Sequence, residues 1–133
     1  MARPVPLGAR GEASEVIEHK HTLTAHNKQL PPVYSTPDMV RLMETAGFHA
    51  LQPFGEGDEI SVGTHINIEH RAASLLGSKV SAEAVVESIE GRFITLRVRA
   101  WDEKQEIGRG TIGRAFVSLG KFASRIASKT SGG

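Results

Sequence analysis

Three side chains in one segment of the chain have the chemical types that proton transfer requires. Within residues 32–70, Thr36 carries a hydroxyl, Glu44 a carboxylate and His70 an imidazole. An imidazole changes its charge close to neutral pH, and its surroundings can tune that change. Whether the three groups can act together depends on the helix and the strand that carry them.

A helix is predicted over residues 36–51, because apolar residues recur there at spacings of three and four. Thr36 stands directly before Pro37, so its hydroxyl is predicted to cap the first turn, and Pro53 follows the end of the helix. One face of this helix should therefore lie against a core. The predicted apolar stripe consists of Met39, Met43, Ala46 and Ala50.

Glu44 and His70 are both expected at the border of that core. Most residues three, four and seven places from Glu44 are apolar, although Arg41 is also close enough to pair with it at the surface. His70 ends a strand predicted over residues 61–70, and alternation puts it on the apolar face, with Gly63 on the other face. A histidine so placed can also be a satisfied core residue. Three half-buried polar groups in one helix–strand unit nevertheless favour a functional site.

The remaining patterns predict strands. Residues 15–24 contain β-branched side chains that favour a first strand, and residues 80–100 are typical of a hairpin that turns at Glu90 and Gly91. The glycines of a last strand over residues 106–119 indicate a bulge or the close approach of another backbone. One long apolar helix with these antiparallel strands predicts an α+β fold in which the sheet wraps the helix.

The composition limits what the chain can be. With 133 residues, 39% of them hydrophobic, it should form one domain with a modest core. The 16 basic and 15 acidic residues do not create the positive field of a typical nucleic-acid-binding protein. Cysteine is absent, which excludes disulfides and thiolate chemistry. Because no apolar segment is long enough for a signal peptide or a membrane span, we expect a soluble cytoplasmic protein without nucleic-acid or membrane partners.

The two ends of the chain differ in composition from the segment between them. Residues 1–12 are rich in proline, glycine and alanine and are predicted to form a disordered N-terminal arm. Residues 13–122 contain the predicted helix and strands and should form the folded domain. The basic, then serine- and glycine-rich residues 123–133 are predicted to fray.

Histidines near the start of the chain raise the question of a metal site. His19 and His21 share one face of the first predicted strand, with His26 beyond them. A zinc site needs a further ligand in a suitable geometry, and a polar strand face accounts for the same residues. We therefore predict neither a metal nor a cofactor.

Several motifs around the three polar residues resemble one enzyme family. Together with the spacing of Thr36, Glu44 and His70, these motifs make residues 33–122 similar to the thioesterases typified by fluoroacetyl-CoA thioesterase. The resemblance implies a hotdog fold, in which a curved antiparallel sheet wraps one long central helix. It also implies that these three residues form a catalytic triad and that the Gly63 N–H contributes to the oxyanion site. The motifs are STPDMVRLME, VGTHINIEH, VESIEGRFITLRVRAWD and EIGRGTIGRAFV.

The sequence departs from the family pattern in two places. The last strand of the family usually reads Gly-Thr-His-Glu-Arg, whereas Ile112 replaces the histidine here. Residues 26–30 lack the aromatic residues that gate the pocket of the fluoroacetyl-specialised member. We therefore expect a plainer pocket without strong preference for fluoroacetyl-CoA. The predicted substrate-binding residues are Val33, Met39, Met43, Ile66, Gly77 and Arg114.

The resemblance implies hydrolysis of short or medium acyl-CoA thioesters, with coenzyme A entering as part of the substrate. Hotdog domains generally pair, so we expect a homodimer or a higher assembly with sites at the interface. The alternatives are a non-catalytic acyl-CoA-binding hotdog module and a hydratase or dehydratase on the same fold. Several basic residues could contact the phosphates of coenzyme A or simply be solvated. They are Arg71, Lys79, Arg92, Arg114 and Lys121.

Overall fold

A five-stranded antiparallel sheet curls around one long helix. The computed structural model describes residues 3–131 of the chain. Two 3-10 turns, His19–His21 and Gln52–Phe54, supplement the regular elements. In chain order these elements are β1 (Arg10–Val16), α1 (Leu23–His26), α2 (Thr36–Leu51), β2 (Glu59–His70), β3 (Lys79–Glu90), β4 (Phe93–Trp101), β5 (Glu106–Ser118) and α3 (Leu119–Ser131).

The helix predicted over residues 36–51 is confirmed as α2, but its cap is a different residue. Ser35 is the N-cap, and its Oγ accepts a hydrogen bond from the Asp38 N–H at 3.2 Å. Thr36 is the first helical residue, and Pro37 follows in the first turn, where a missing N–H costs no helical hydrogen bond. The Thr36 hydroxyl is therefore free to contact another group. The predicted stripe is confirmed by the burial of Met39, Met43, Ala46 and Ala50.

The strands follow the order β1-β3-β4-β5-β2, so β1 and β2 form the two edges of the sheet. The predicted hairpin is confirmed as β3 and β4, and Gly91 adopts a φ of +62° in its turn. Alternate residues of this hairpin face α2 and complete the core. They are Val80, Ala82, Ala84, Val86, Ile94, Leu96, Val98 and Ala100.

β2 contains a bulge that strict alternation did not predict. Its register against β5 shifts between Gly63 and His65. Gly63 pairs with Arg114 and His70 pairs with Gly108, and these two partners lie on the same face of β5. Without the bulge, Gly63 and His70 would point to opposite faces of β2. The bulge therefore gives both residues the same face of the sheet, the one that looks toward α2.

The first strand lies earlier than predicted, and the strand expected over residues 15–24 is wrong. β1 ends at Val16, and the segment that follows forms the 3-10 turn His19–His21 and the short helix α1. Gly11 explains why β1 lies where it does. A Cβ at this residue would come within 2.2 Å of the Ala46 carbonyl oxygen, so glycine permits the close packing of β1 on α2.

The prediction of a disordered arm over residues 1–12 is wrong for the part that the structure describes. Residues 10–12 belong to β1, and before them the Gly8 N–H donates to the Val86 carbonyl at 2.9 Å. The Arg3 N–H donates to the Phe54 carbonyl at 2.8 Å. The backbone of this segment thus finds hydrogen-bond partners that its composition did not reveal. Residues 1 and 2 lie outside the described residues.

The tail that was predicted to fray from residue 123 is helical as far as Ser131, and residues 132 and 133 lie outside the described part. Asp58 holds the start of α3. Its carboxylate accepts from the Gly120 N–H at 2.8 Å and from the Ser118 hydroxyl at 3.0 Å, and these bonds lower the pKa of Asp58. Within residues 3–131, no helix has the length and apolar character needed to cross a membrane.

Candidate active site

The first turn of α2 meets the last residue of β2. Thr36 Oγ1 and His70 Nδ1 lie 2.8 Å apart, a hydrogen-bond distance. Two local features make this contact. Ser35 takes the capping role and leaves the Thr36 hydroxyl free, while the bulge turns His70 toward the helix. The structure therefore brings two of the predicted catalytic residues together.

A cavity of about 280 Å³ opens beside this pair. Val33, a predicted substrate-binding residue, forms part of its wall. A hydroxyl and an imidazole in a largely apolar wall are typical of a small-molecule site. The residues that line the cavity are Leu23, Val33, Tyr34, Thr36, His70, Arg71, Ala72 and Ala73.

His70 is suited to accept a proton. Burial lowers the pKa of its imidazole from the ordinary value of 6.5, and the nearby backbone of Ala72 opposes this effect only in part. A neutral imidazole whose Nδ1 faces a hydroxyl can act as a general base. The other ring nitrogen, Nε2, is buried and has no hydrogen-bond partner among the described residues.

Glu44 is held by a partner that the sequence did not indicate. Its Oε2 lies 3.0 Å from Arg114 Nη1, whereas Arg41 pairs with Glu15 at 2.6 Å. The surface pair between Glu44 and Arg41, which the sequence left open, is therefore absent. Among the described residues, no hydrogen bond or ion pair joins Glu44 to His70. A single chain therefore does not assemble all three members of the predicted triad.

Gly63 lies against Glu44 instead of against His70. A Cβ at this residue would lie 2.5 Å from Glu44 Oε2, so glycine makes room for the carboxylate. The other carboxylate oxygen, Oε1, is buried without a hydrogen-bond partner in the described part of the chain. At about 1.5 Å per residue, Glu44 and Thr36 are separated by roughly 12 Å along α2. The candidate residues of one chain therefore form two separate candidate half-sites, Thr36 with His70 and Glu44 with Gly63.

The other predicted substrate-binding residues lie in different surroundings. Met39 and Met43 are 0% exposed and pack in the core, so neither lines the cavity. Ile66 is 53% exposed on the edge strand β2. Gly77 adopts a φ of +92°, and its N–H donates to the Ile17 carbonyl at 2.9 Å. Gly77 therefore serves a turn and does not line the cavity.

Arg114, which is predicted to bind substrate, lies buried between α2 and β2 and outside the lining of the cavity. Arg114 is only 5% exposed, and it donates from Nε to Ser61 Oγ at 2.9 Å and from Nη2 to the Ser61 carbonyl at 2.8 Å. Burial lowers the pKa of its guanidinium while Glu44 raises it, and an arginine stays protonated at neutral pH. A guanidinium enclosed in this way does not reach a phosphate in solvent. Of the other basic candidates, Arg71 lines the cavity.

A polar network that was not predicted from the sequence fixes the segment before Thr36. Tyr34 is 1% exposed, and its hydroxyl donates to Glu15 Oε2 at 2.5 Å. Arg41 Nη2 contacts the same oxygen at 2.6 Å. Burial and the hydrogen bond to Glu15 raise the pKa of Tyr34, so its hydroxyl remains a donor. The sequence does contain one indication of this network. The only tyrosine of the chain stands just before the helix start, and a buried tyrosine needs a hydrogen-bond partner.

Comparison with known proteins relates this site to a family. Residues 17–119 match the family model named FlK and described as fluoroacetyl-CoA-specific thioesterase. The chain belongs to this family. A fluoroacetyl-CoA thioesterase from Streptantibioticus cattleyicolor is 38% identical over 119 residues, which cover 90% of this chain and 86% of that protein.

Two solved structures share the architecture. The structure of the fluoroacetyl-CoA thioesterase FlK has a TM-score of 0.87 and 35% identity, covering 95% of this chain and 98% of that chain. A hypothetical protein of the thioesterase superfamily from Thermus thermophilus has a TM-score of 0.90 and 29% identity, covering 97% and 96%. The predicted hotdog fold is confirmed, and the chain is a thioester hydrolase, as predicted.

Proposed function

We propose that this protein hydrolyses short or medium acyl-CoA thioesters and uses Thr36, Glu44 and His70 as its catalytic residues. The observation that carries the proposal is the 2.8 Å contact between Thr36 Oγ1 and His70 Nδ1 in the wall of the cavity. Because burial lowers the pKa of His70, the imidazole is unprotonated at neutral pH and can accept a proton. Coenzyme A belongs to the substrate, so the reaction needs no separate cofactor.

His70 acts as the general base in this mechanism. Its Nδ1 takes the proton from the Thr36 hydroxyl, or from a water that Thr36 holds, as that oxygen attacks the thioester carbonyl carbon. The proton then passes to the departing sulfur, which leaves as the free thiol of coenzyme A. If Thr36 itself attacks, a water then hydrolyses the acyl-threonine by the same proton path. The positive end of the α2 dipole and the N–H of the partner subunit's Gly63 stabilise the oxyanion.

A homodimer that forms through the edge of β2 would join the two half-sites. β2 ends the sheet, and residues 63–67 are exposed along it, which leaves backbone groups that a second copy can pair. Antiparallel pairing about a twofold axis at Asn67 would put His70 opposite the partner subunit's bulge, which contains Gly63. Because Glu44 lies against Gly63 in each chain, the partner subunit's Glu44 would then approach His70.

Two unsatisfied atoms support this arrangement. Glu44 Oε1 and His70 Nε2 are buried without partners among residues 3–131, and buried polar atoms are rarely left unpaired. Both atoms are covered by their own chain, so in the proposed dimer their side chains change rotamer before the Nε2–H of one subunit donates to Oε1 of the partner subunit's Glu44. That bond fixes the tautomer in which Nδ1 faces Thr36, and it stabilises the imidazolium that forms during the reaction.

The cavity supports a modest range of acyl groups. At about 280 Å³, with Leu23, Val33, Ala72 and Ala73 in its wall, it offers small apolar surfaces. Apolar pockets distinguish groups of similar volume by only about 1–3 kcal/mol. Residues 26–30 include no aromatic side chain that could add selectivity. We therefore expect no strong preference for fluoroacetyl-CoA over acetyl-CoA.

Release of free thiol by the purified protein tests the reaction. Fluoroacetyl-, acetyl-, butyryl- and hexanoyl-CoA serve as substrates, and addition of water to an unsaturated acyl-CoA is followed in parallel. We expect thiol release without water addition. Binding of these compounds without thiol release would indicate the acyl-CoA-binding module, and water addition would indicate a hydratase. A fluoroacetyl preference of several thousandfold, more than about 4 kcal/mol, would contradict the proposed substrate range.

Light scattering tests the dimer. We expect the wild type to be dimeric and Ile66→Lys to be monomeric and inactive, because charged side chains on a strand edge prevent its pairing. Val16→Lys is the matched control, since Val16 is 55% exposed on the opposite edge strand β1, and this variant should stay dimeric. A wild type that remains monomeric at all concentrations would rule out the shared site.

A further inference from the structure

Arg114 occupies a slot on the surface of α2. Its Cδ would lie 3.2 Å from a Cβ at Gly47, so glycine leaves room for the arginine stem. Its guanidinium carbon lies 5.9 Å from the centre of the Phe48 ring, and its Nη1 donates to Glu44 Oε2 at 3.0 Å. Glu44, Gly47 and Phe48 are neighbours on one helical face, because they are three and four residues apart. This face of α2 therefore encloses the guanidinium.

The guanidinium connects α2 to β2. Nε and Nη2 donate to the Oγ and the carbonyl of Ser61 on β2, while Nη1 donates to Glu44 on α2. The guanidinium is planar, so the directions of these bonds are fixed relative to one another. One carboxylate oxygen of Glu44 is thereby held against Gly63, and Oε1 has no partner among the described residues.

We infer that Arg114 is a positioning residue for Glu44, because it holds one carboxylate oxygen and so directs the other toward the imidazole of the partner subunit's His70. The inference rests on the proposed thioesterase function and adds a residue to it. Arg114 touches neither the substrate nor the reacting atoms in this account, and its effect on catalysis passes entirely through Glu44.

A purely structural ion pair would have different consequences. Breaking a buried pair destabilises a fold, but the molecules that still fold would then react at the normal rate. Loss of a positioning residue lowers kcat in folded protein and changes KM little, because Glu44 acts in the transition state. Kinetics at a temperature well below each variant's thermal midpoint separate these two roles.

Arg114→Gln and Arg114→Lys make the first comparison. We expect Arg114→Gln to lower kcat on the order of 10²-fold, the size of effect that a misplaced catalytic group produces. Arg114→Lys should fall between Arg114→Gln and the wild type, since an ammonium keeps the charge but lacks the planar fork. Arg99→Gln is the matched control, because Arg99 also pairs with a carboxylate, at 2.8 Å from Glu106, but is 51% exposed and outside the site.

A double-mutant cycle with Glu44→Gln measures whether the effect of Arg114 on kcat depends on Glu44. If Arg114 acts through Glu44, adding Arg114→Lys to Glu44→Gln lowers kcat no further. Additive losses of kcat, or a wild-type kcat in folded Arg114→Gln, would overturn this inference and leave the proposed function standing. A wild type that releases no thiol from any acyl-CoA would instead overturn the proposed function, and the inference would fall with it.

Discussion

The two half-sites of this chain are built in contrasting ways. At Thr36 and His70, one hydrogen bond of 2.8 Å joins the helix to the strand beside an open cavity. At Glu44, the buried Arg114 fixes the carboxylate and is itself anchored on Ser61. The half-site that would meet the substrate is accessible, and the half-site that would orient the base is enclosed. Reaction requires access for the substrate, whereas orientation requires side chains that cannot move.

In the proposed dimer, the distance between the half-sites would give the edge of β2 a second role. Roughly 12 Å of α2 separates Thr36 from Glu44, and among the described residues no hydrogen bond or ion pair joins the two half-sites. A twofold axis can join them, because it brings each half-site of one subunit to the complementary half-site of the other. In this account, the pairing that stabilises the dimer also assembles the catalytic centre.

Removal of the accessible half-site should have the largest effect. His70→Ala and Thr36→Ala should each lower kcat on the order of 10³-fold, because each removes a group that transfers or carries the proton. The double variant should be little worse than either single variant, since the two residues act as a unit. Steady-state kinetics of thiol release measure these losses.

His49→Ala provides the matched control for that comparison. Its ring lies at 2.7 Å from the Glu12 carbonyl oxygen, on the exposed side of α2, and takes no part in the site. This variant should keep the wild-type kcat. Full activity in His70→Ala would contradict the mechanism.

The pH dependence of the rate should report the accessible half-site. Burial lowers the pKa of His70, whereas the partner subunit's Glu44 carboxylate would raise it, so Glu44→Gln, which keeps the burial and removes the charge, should have the acidic limb of its kcat/KM profile below pH 6.5. In this variant, His70 should also make the fold less stable in acid. Its pKa is lower in the folded state, so the unfolded chain binds more protons as the pH falls below 6.5, and stability decreases over that interval.

Thermal midpoints between pH 5 and pH 8 check the stability part of this prediction. Adding His70→Gln to Glu44→Gln should give a smaller decrease toward acid than Glu44→Gln alone, because the double variant lacks the titrating group. An acidic limb above pH 6.5 in Glu44→Gln, or an equal acid sensitivity in the double variant, would show that the buried imidazole is not the group responsible.

The smallest predicted effect concerns the cap that frees Thr36. Ser35→Ala should lower the free energy of unfolding by about 1 kcal/mol, because it removes the side chain that accepts from the Asp38 N–H. Thr36→Ala should cost less, since Thr36 caps nothing in this structure. Chemical denaturation at neutral pH measures both values. A larger loss in free energy of unfolding for Thr36→Ala than for Ser35→Ala would show that Thr36 is the cap.

Much of the fold could be predicted because it depends on local periodicity. The stripe of α2 and the alternation of β3 and β4 follow directly from residue spacing. The glycines of β5 were also interpreted correctly, since a Cβ on Gly110 would lie 2.1 Å from the Asn67 carbonyl oxygen. β1 could not be placed, because small residues that pack closely on α2 leave no strong strand pattern.

The site was harder to predict because it depends on features between elements. The bulge in β2 changes which residues share a face, and only the pairing with β5 reveals it. The partner of Glu44 lies 70 residues away along the chain, at Arg114, so no local pattern indicates it. The types and spacing of Thr36, Glu44 and His70 identified the candidates, but the division into two half-sites required the folded chain.

Mixed dimers test the central claim most directly. One subunit carries Thr36→Ala with His70→Ala, the other carries Glu44→Gln, and each parent homodimer should be nearly inactive. If the site is shared, one of the two sites in a mixed dimer is intact, so purified heterodimers should recover roughly half of the wild-type kcat. If all three residues act within one subunit, both sites of the heterodimer are defective. A heterodimer as inactive as its parents would therefore contradict the account.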